Sequence, residues 1–186
     1  MRKKRKKLGR DEGRLSLEQI CDDLAAKAQR VKTEMCRLDA GPVDLNPLLF
    51  LRLDGAAELC FVPFPCSDPV AGFPLIWERI LEEGHPDFIA IFTEGYFGPY
   101  HAEKGHQRGQ YERDFKENPF SDVKEALLIA GVDIRQGRYR NAVIPFSYDD
   151  GGMPHFTQYP WGDGSGGNLG GLLAGCVRQV QRRMGW

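Results

Sequence analysis

Two apolar runs joined by a short polar turn constrain the fold of this chain most. The first run, Ala126–Val132, and the second, Ala142–Phe146, hold no charged residue, and Arg135-Gln136-Gly137-Arg138 lies between them. Successive side chains of a strand point to opposite faces of its sheet, so a strand that is apolar throughout belongs where both faces are covered. Gly137 suits a tight turn because glycine takes positive φ without strain. The segment 124–148 therefore predicts a β-hairpin at the centre of a doubly covered sheet.

The rest of the chain supplies neighbours and cover for this hairpin. Short links at 54–57 and 135–138 favour antiparallel pairing. We expect an α+β single domain with a mainly antiparallel five- to six-stranded sheet, covered by about three helices. The predicted strands are Leu48–Asp54, Glu58–Pro65, Asp87–Glu94, Lys124–Ile134, Tyr139–Tyr148 and a short edge strand, His155–Tyr159. The predicted helices start at Ser16, span Pro74–Glu83, with Pro74 in the first turn, and occupy 169–186.

The first helix shows the clearest periodicity. Ser16 and Gln19 form a capping-box pattern, and Gly41-Pro42 ends the helix. Its apolar residues recur every three or four positions and predict one core-facing stripe: Leu17, Ile20, Leu24, Ala28, Val31, Met35 and Leu38. The remaining charged positions predict a solvated face: Asp22, Asp23, Lys27, Arg30, Lys32 and Glu34.

Charge is distributed unevenly along the chain. Of the 25 Lys and Arg residues, seven lie in residues 1–10, which leaves 18 against 26 acidic residues in the rest. We expect residues 1–14 to be a basic flexible arm, 15–160 the folded domain, and 161–168 a glycine-rich joint before the last helix. Such an arm can neutralise phosphates of a polyanion such as nucleic acid. The candidate nucleic-acid contacts are Arg2, Lys3, Lys4, Arg5, Lys6, Lys7 and Arg10.

Apolar runs and cysteines indicate the compartment. No run approaches the roughly 20 apolar residues of a membrane span, and no apolar region follows the basic start as in a signal peptide. The five cysteines are an odd number without a C-x-x-C pair, and most have apolar neighbours. We therefore expect a cytoplasmic protein with structural thiols.

The segment 95–122 is predicted to be a long polar loop, and loops of that length inside a compact domain are usually functional or disordered. Its aromatic residues are interleaved with charges, as in many protein interfaces. The candidate partner-binding residues are Tyr96, Phe97, Tyr100, Tyr111 and Phe115.

A second candidate site follows from the predicted topology. If the last three long strands form an antiparallel meander, the end of the first, the start of the second and the end of the third share one sheet edge. Carboxylates gather there and imidazoles lie in the loop beside them, which suits a divalent metal or acid–base chemistry. The catalytic candidates are Glu94, Asp122, Glu125, His101 and His106, and the metal candidates are Glu94, His101, His106, Asp149 and Asp150.

Two other motifs give weaker evidence of function. The glycines at 162, 164 and 167 match G-x-G-x-x-G but lack the buried strand before them that a dinucleotide site needs. A metal-dependent nuclease pattern can be formed in two ways. Joining Pro86-Asp87 to Asp122-Val123-Lys124 would place the two carboxylates at opposite ends of neighbouring strands, about 30 Å apart. Joining Pro86-Asp87 to Asp114-Phe115-Lys116 would place the lysine in the polar loop rather than on a buried strand. No residue stands out as a nucleophile, and no motif indicates a cofactor.

Three functional hypotheses remain open. The first is a non-enzymatic binding or accessory protein of a bacterium or phage. It would contact a protein partner through 95–122, with the basic arm on a polyanion. The second is a small metal-dependent hydrolase at the Glu94/Asp122/Asp149 edge. The third is a structural subunit of a larger assembly, for example of a phage. The sequence does not define the oligomeric state.

Overall fold

The computed structural model describes residues 15–53, 60–64, 69–98, 110–118, 122–157, 160–163 and 167–185. It confirms the α+β class: these residues form four helices and six strands. The helices are α1 (Leu17–Asp39), α2 (Pro69–Glu83), α3 (Gln110–Glu117) and α4 (Gly167–Met184). The strands are β1 (Leu48–Leu53), β2 (Cys60–Pro63), β3 (Pro86–Phe97), β4 (Lys124–Asp133), β5 (Arg138–Tyr148) and β6 (Pro154–Phe156).

All six strands form one antiparallel sheet in the order β2-β1-β3-β4-β5-β6. The central hairpin is confirmed, and Gly137 has the positive φ of 63° that its turn requires. β2, which contains Pro63, lies at one edge of the sheet, where a residue without an N–H group is tolerated.

Helices cover both faces of the sheet, as the doubly apolar central strands predict. α1 packs on the face that carries Phe88, Phe92, Leu127 and Ile144. α2 and α4 pack together on the opposite face, against apolar side chains of four strands: Leu49, Leu51, Ile89, Ile91, Ala130 and Val132. The result is a three-layer arrangement with the sheet in the middle.

The capping box of α1 is present: Ser16 accepts from the Gln19 backbone, and the Gln19 side chain accepts from the Ser16 backbone. The predicted apolar stripe is wrong in its second half. Val31, Met35 and Leu38 are exposed, and the residues buried there are Cys36 and Lys32, of which the pattern had placed Lys32 on the solvated face. The buried side of α1 therefore turns around the helix between its two halves.

Two further elements differ from the prediction. α2 begins at Pro69, five residues early, so Pro74 lies inside the helix rather than in its first turn. The segment 95–122 is not a continuous loop, because β3 runs on to Phe97 and Gln110–Glu117 is helical. Within the described residues, no helix combines the length and apolar character needed to cross a membrane.

Candidate functional site

One end of the sheet collects polar and aromatic side chains, as the meander topology predicts. Tyr96 of β3 lies opposite Glu125 of β4, and Glu125 lies opposite Phe146 of β5. Because side chains two residues apart in a strand share a face, Glu94 and Tyr148 belong to the same group. This face is the one that α1 covers.

The side chain of Lys32 extends from α1 into this group of residues. Its side chain has no exposed surface, and its Nζ lies 2.7 Å from Oε1 of Glu94, whose side chain is 12% exposed. The ammonium group also donates to the carbonyl oxygen of Val43. It lies 4.9 Å from the ring centroid of Phe146 and 5.5 Å from that of Tyr148. A buried ammonium needs such compensation, because burial without a partner costs several kcal/mol.

Burial and charge act against each other in this group. Burial disfavours the charged form of Lys32, but its contacts with Glu94 and Tyr148 outweigh burial and leave the lysine pKa above its usual value. Burial raises the pKa of Glu94, which the Lys32 contacts only partly offset. Burial likewise raises the pKa of Glu125, against the attraction of Lys32. The charge of Lys32 therefore stabilises the carboxylates of Glu94 and Glu125 in a partly buried environment.

The outer part of the group is formed by α3. The rings of Tyr96 and Phe115 pack with centroids 5.2 Å apart, and Phe115 stays 37% exposed. Next to them, Lys116 pairs with Glu112 at 2.7 Å. Burial, followed by the charge of Glu125, raises the pKa of Tyr96. An aromatic pair bordered by charges thus lies at the surface, directly outside the buried Lys32–Glu94 pair.

Of the other predicted catalytic and metal residues that the structure describes, Glu125 shares this face with Glu94, whereas Asp122, Asp149 and Asp150 do not join the group. Asp149 caps the turn after β5: its Oδ1 accepts from the backbone of Gly151 at 2.9 Å and of Met153 at 2.8 Å, and its Oδ2 lies 3.1 Å from Nε2 of His155. Backbone hydrogen bonds, then His155, hold the pKa of Asp149 below its usual value. Asp150 is exposed in the same turn, and Asp122 is exposed before β4.

The predicted aromatic residues are only partly brought together. Tyr96 and Phe115 are in contact, but Phe97 follows Tyr96 in β3 and so points to the opposite face. Tyr111 belongs to α3, although the position of its side chain is not described. Outside the described residues lie Tyr100, His101, His106 and the basic residues of 2–10.

Different observations disfavour the proposed metal site and the nuclease pattern. In the described part of the chain, no three His, Cys, Asp or Glu residues are arranged to hold a metal ion. The geometry also excludes the nuclease pattern that joins Asp87 to Lys124. Asp87 is buried in an ion pair with Arg52 at 2.9 Å. It lies at the start of β3, whereas Lys124 pairs with Phe97 at the end of β3. Gly162, from the glycine motif, pairs by two 2.8 Å hydrogen bonds with Asn141 of β5, so it serves the fold.

Sequence reasoning missed Lys32 and Asp44. Lys32 is the centre of the group, and the charge of Asp44 acts on Glu94, Tyr96, Glu125 and Lys116. One signal for Lys32 was present: Ala25, Ala28, Lys32 and Cys36 recur at steps of three and four, so the lysine continues a line of small residues. Asp44 lies in the link between α1 and β1, where no periodicity exists.

Comparison with known proteins found no match to a protein-family model, a curated protein or a solved structure.

Proposed function

We propose that this chain is a non-enzymatic, cytoplasmic binding protein that holds a protein partner at the surface formed by the end of β3 and by α3. The contact between Tyr96 and Phe115, with Phe115 partly exposed, carries this proposal. Aromatic residues are enriched at interface hot spots because they bury a large area at small conformational cost.

The surroundings of the aromatic pair support a binding role. Lys116, Glu112 and Asp44 provide a charged rim, and a polar rim around an aromatic centre is usual in interfaces between proteins. Beneath it, the Lys32–Glu94 pair ties α1 to β3, which gives the surface a rigid base. Rigid bases favour binding because less conformational entropy is lost on association.

The Lys32–Glu94 pair also makes a binding role fit better than hydrolysis. The Glu94 carboxylate already has a cation at 2.7 Å, and that cation is part of the fold. A divalent ion at this carboxylate would have to compete with a lysine that has no exposed surface. Binding of a protein partner at Tyr96 and Phe115 requires no such competition.

Site-specific photo-cross-linking tests the proposal. Benzoylphenylalanine replaces Phe115 in one variant and the exposed Arg79 of α2 in a control variant. In extract of the cells that produce the protein, we expect one discrete cross-linked partner from position 115 and none from position 79. The purified partner should bind the Tyr96→Ser/Phe115→Ser variant at least about tenfold more weakly than the wild type.

Two results would contradict the proposal. One is equal cross-linking from both positions, which indicates non-specific capture. The other is unchanged affinity for the purified partner after the double substitution, in protein whose circular dichroism matches the wild type.

Polyanion binding is a second proposed function, supported by charge on the folded domain. Arg178 and Arg182 of α4 lie one turn apart and line a surface recess of about 480 Å³ with Gln181 and Gly185. Arg183, by contrast, pairs with Glu78 at 3.6 Å. The two arginines would add to the phosphate contacts proposed for residues 2–10.

Fluorescence anisotropy with a labelled duplex and a labelled single strand, over a salt series, tests this function. The full chain should bind with an affinity that falls steeply with salt, and a chain lacking residues 2–10 should lose most of that slope. Arg178→Gln/Arg182→Gln should reduce the slope for duplex by up to about two units, since each phosphate contact contributes about 0.9. Arg79→Gln is the matched control. Equal binding by all variants would contradict the assignment.

A further inference from the structure

The link between α1 and β1 is bonded at two points to the buried Lys32–Glu94 pair. The ammonium group of Lys32 donates to the carbonyl oxygen of Val43, and the carboxylate of Glu94 accepts from the backbone of Leu45. Asp44 lies between these two residues and is exposed. The ion pair therefore holds the Asp44 carboxylate beside the group, although the link itself is neither helix nor strand.

A second carboxylate lies directly beside Tyr96 on the sheet. Tyr96 and Glu125 are opposite one another in the register of β3 and β4. In the same register Ile134 donates to the carbonyl of Asp87, and because bonded and non-bonded pairs alternate, Tyr96–Glu125 is a non-hydrogen-bonded pair. The side chains of such pairs are close, with Cβ atoms about 4.5–5.5 Å apart. The partly buried Glu125 carboxylate is therefore next to the Tyr96 ring.

The two lysines near these carboxylates are already engaged. The buried lysine has Glu94 at 2.7 Å, and Lys116 of α3 has Glu112 at 2.7 Å. Among the described residues, Glu125 and Asp44 form no ion pair. Burial, and after it the charge of Asp44, raises the pKa of Glu125, so the two carboxylates lie near enough to repel each other.

The other charges of β4 and α3 do not compensate them. Lys124 projects from the opposite face of the sheet to its neighbour in β4. Arg113 and Glu117 lie about 200° around α3 from Phe115, on its far side, and have opposite charges. Asp114 of α3 is half-buried and acidic. The surface therefore keeps an excess of negative charge on this side.

The charges of α1 and of the segment before β4 lead to the same result. The basic residues in the second half of α1 lie about 140–160° around the helix from Lys32 and so point away from the group: Lys27, Arg30 and Arg37. Asp39, seven residues after Lys32, shares its side of the helix, and the exposed Asp122 precedes β4. Both of these residues are acidic.

The aromatic rings and the carboxylates together suit one chemical group, the guanidinium of arginine. The group is planar and weakly hydrated, so it stacks on aromatic rings and donates to carboxylates at the same time. Tyr96 and Phe115 supply rings with centroids 5.2 Å apart, and Phe115 is 37% exposed. A lysine ammonium, which is compact and strongly hydrated, would use the carboxylates but gain less from the rings.

We propose that the surface formed by Tyr96, Phe115, Glu125 and Asp44 binds an arginine side chain in a basic segment of the protein partner. The guanidinium packs against the exposed ring and donates to the two carboxylates. This inference rests on the binding function proposed above and specifies the chemistry of the partner.

A segment of another protein is a better occupant than the basic residues 2–10 of the chain itself. The first half of α1 packs on Phe88 and Ala90, which are eight and six residues from Tyr96 along β3, or about 20–26 Å. The chain before α1 would have to extend along the sheet to reach Tyr96, which costs conformational entropy. The experiment below includes this alternative.

Model peptides test the proposal on the full chain. The probes are fluorescein-labelled Gly/Ser peptides of about 12 residues that carry arginine, lysine or citrulline at the same positions. Citrulline has the shape of arginine without its charge. Anisotropy titrations should give binding of the arginine peptide about fivefold or more tighter than of the lysine peptide, and about tenfold or more tighter than of the citrulline peptide.

Matched double variants separate the site from net charge. Glu125→Gln/Asp44→Asn should weaken binding of the arginine peptide by about tenfold or more. Asp23→Asn/Glu82→Gln, at exposed carboxylates of α1 and α2, removes the same charge and should leave the affinity unchanged. Tm shows whether each variant is folded.

Phe115→Leu tests the aromatic contribution independently of the carboxylates. It keeps an apolar side chain at an exposed position of α3 but removes the ring, so the preference for arginine over lysine should be lost.

Three results overturn the proposal. The first is equal binding of the arginine and citrulline peptides. The second is an equal loss of affinity in the two double variants, because net charge alone then explains binding. The third is binding that appears only after residues 2–10 are removed, because the chain's own basic segment then occupies the surface.

The partner captured by cross-linking separates this inference from the function on which it rests. A discrete partner at position 115 whose affinity is unchanged by Glu125→Gln/Asp44→Asn overturns arginine recognition and leaves the binding function in place. Equal cross-linking from positions 115 and 79, with the peptide preferences as expected, contradicts the binding function and supports arginine recognition.

Discussion

At the scale of single residues, Lys32 determines the character of the candidate site. A lysine with no exposed surface is rare, because removing an ammonium group from water costs several kcal/mol unless an anion and hydrogen-bond acceptors replace the water. Here Glu94 supplies the anion, and Val43 and Tyr148 supply oxygen contacts. The pair joins α1 to β3, so a change in either partner should affect the fold and the surface above it.

Glu94→Gln tests this pair. It leaves the buried Lys32 without an anion, and we expect a loss of about 3–5 kcal/mol in the free energy of unfolding near neutral pH. In the wild type the raised lysine pKa means that its contribution is complete below the usual value of 10.5 and is lost as pH rises through the higher folded value. In the variant, burial dominates and lowers the lysine pKa, so stability should increase as pH rises toward that usual value. Urea unfolding over this pH range gives both slopes.

Lys32→Met/Glu94→Leu is the control for the same pair. It removes both charges together, and we expect stability equal to the wild type or up to a few kcal/mol higher, without the pH slope of the single variant. A Glu94→Gln variant as stable as the wild type at every pH would contradict a buried ion pair.

At the scale of elements, the close approach of α1 to the sheet depends on glycine and cysteine. A Cβ atom at Gly131 of β4 would lie 2.7 Å from Sγ of Cys21 and 3.5 Å from Cβ of Ala90. Burial raises the pKa of the Cys21 thiol to about 12, and that of Cys176 under α4 also to about 12. These two thiols therefore pack as small apolar groups, as expected from the sequence, whereas Cys60 is exposed.

Gly131→Ala should lower the free energy of unfolding by about 1–3 kcal/mol, because the added methyl group overlaps a buried sulfur on a helix that cannot easily move. Cys21→Ala removes that sulfur, so Cys21→Ala/Gly131→Ala should be more stable than the sum of the single effects predicts. Chemical unfolding of the four proteins measures this coupling.

Gly95→Ala provides the comparison within the same sheet. Its new Cβ would meet Cδ1 of Leu128 at 2.9 Å, but this is the end of a side chain that can rotate. We expect a smaller loss there than at Gly131. Equal losses at the two positions would mean that the Cys21 contact is not the cause.

At the scale of the whole molecule, the three-layer arrangement leaves two surfaces of different character. One, around Tyr96 and Phe115, is aromatic with a charged rim. The other, at the β1–β2 edge, carries the apolar side chain of Phe61, which is 69% exposed. Both lie on the α1 side of the sheet, because Tyr96 and Phe61 share the α1 face by register. The opposite side, covered by α2 and α4, presents the Arg178–Arg182 recess.

The sequence by itself determined the sheet. A strand repeats every two residues, so apolar character on both faces is visible in Ala126–Val132, and the short turn at 135–138 leaves only antiparallel pairing. The antiparallel order of the strands predicts that Glu94 and Glu125 lie at the same sheet edge. It does not predict their contacts with Lys32.

Only the tertiary structure decided which side of α1 is buried. A helix with apolar residues on one side and small residues on another can pack either side, and the choice depends on what lies beneath each turn. Under the second half of α1 lies the Glu94 carboxylate, which attracts a lysine and leaves Val31, Met35 and Leu38 outside. Contacts between residues far apart in the chain, such as Lys32 with Glu94, leave no periodic signal, and the surfaces that result from them become visible only in the folded molecule.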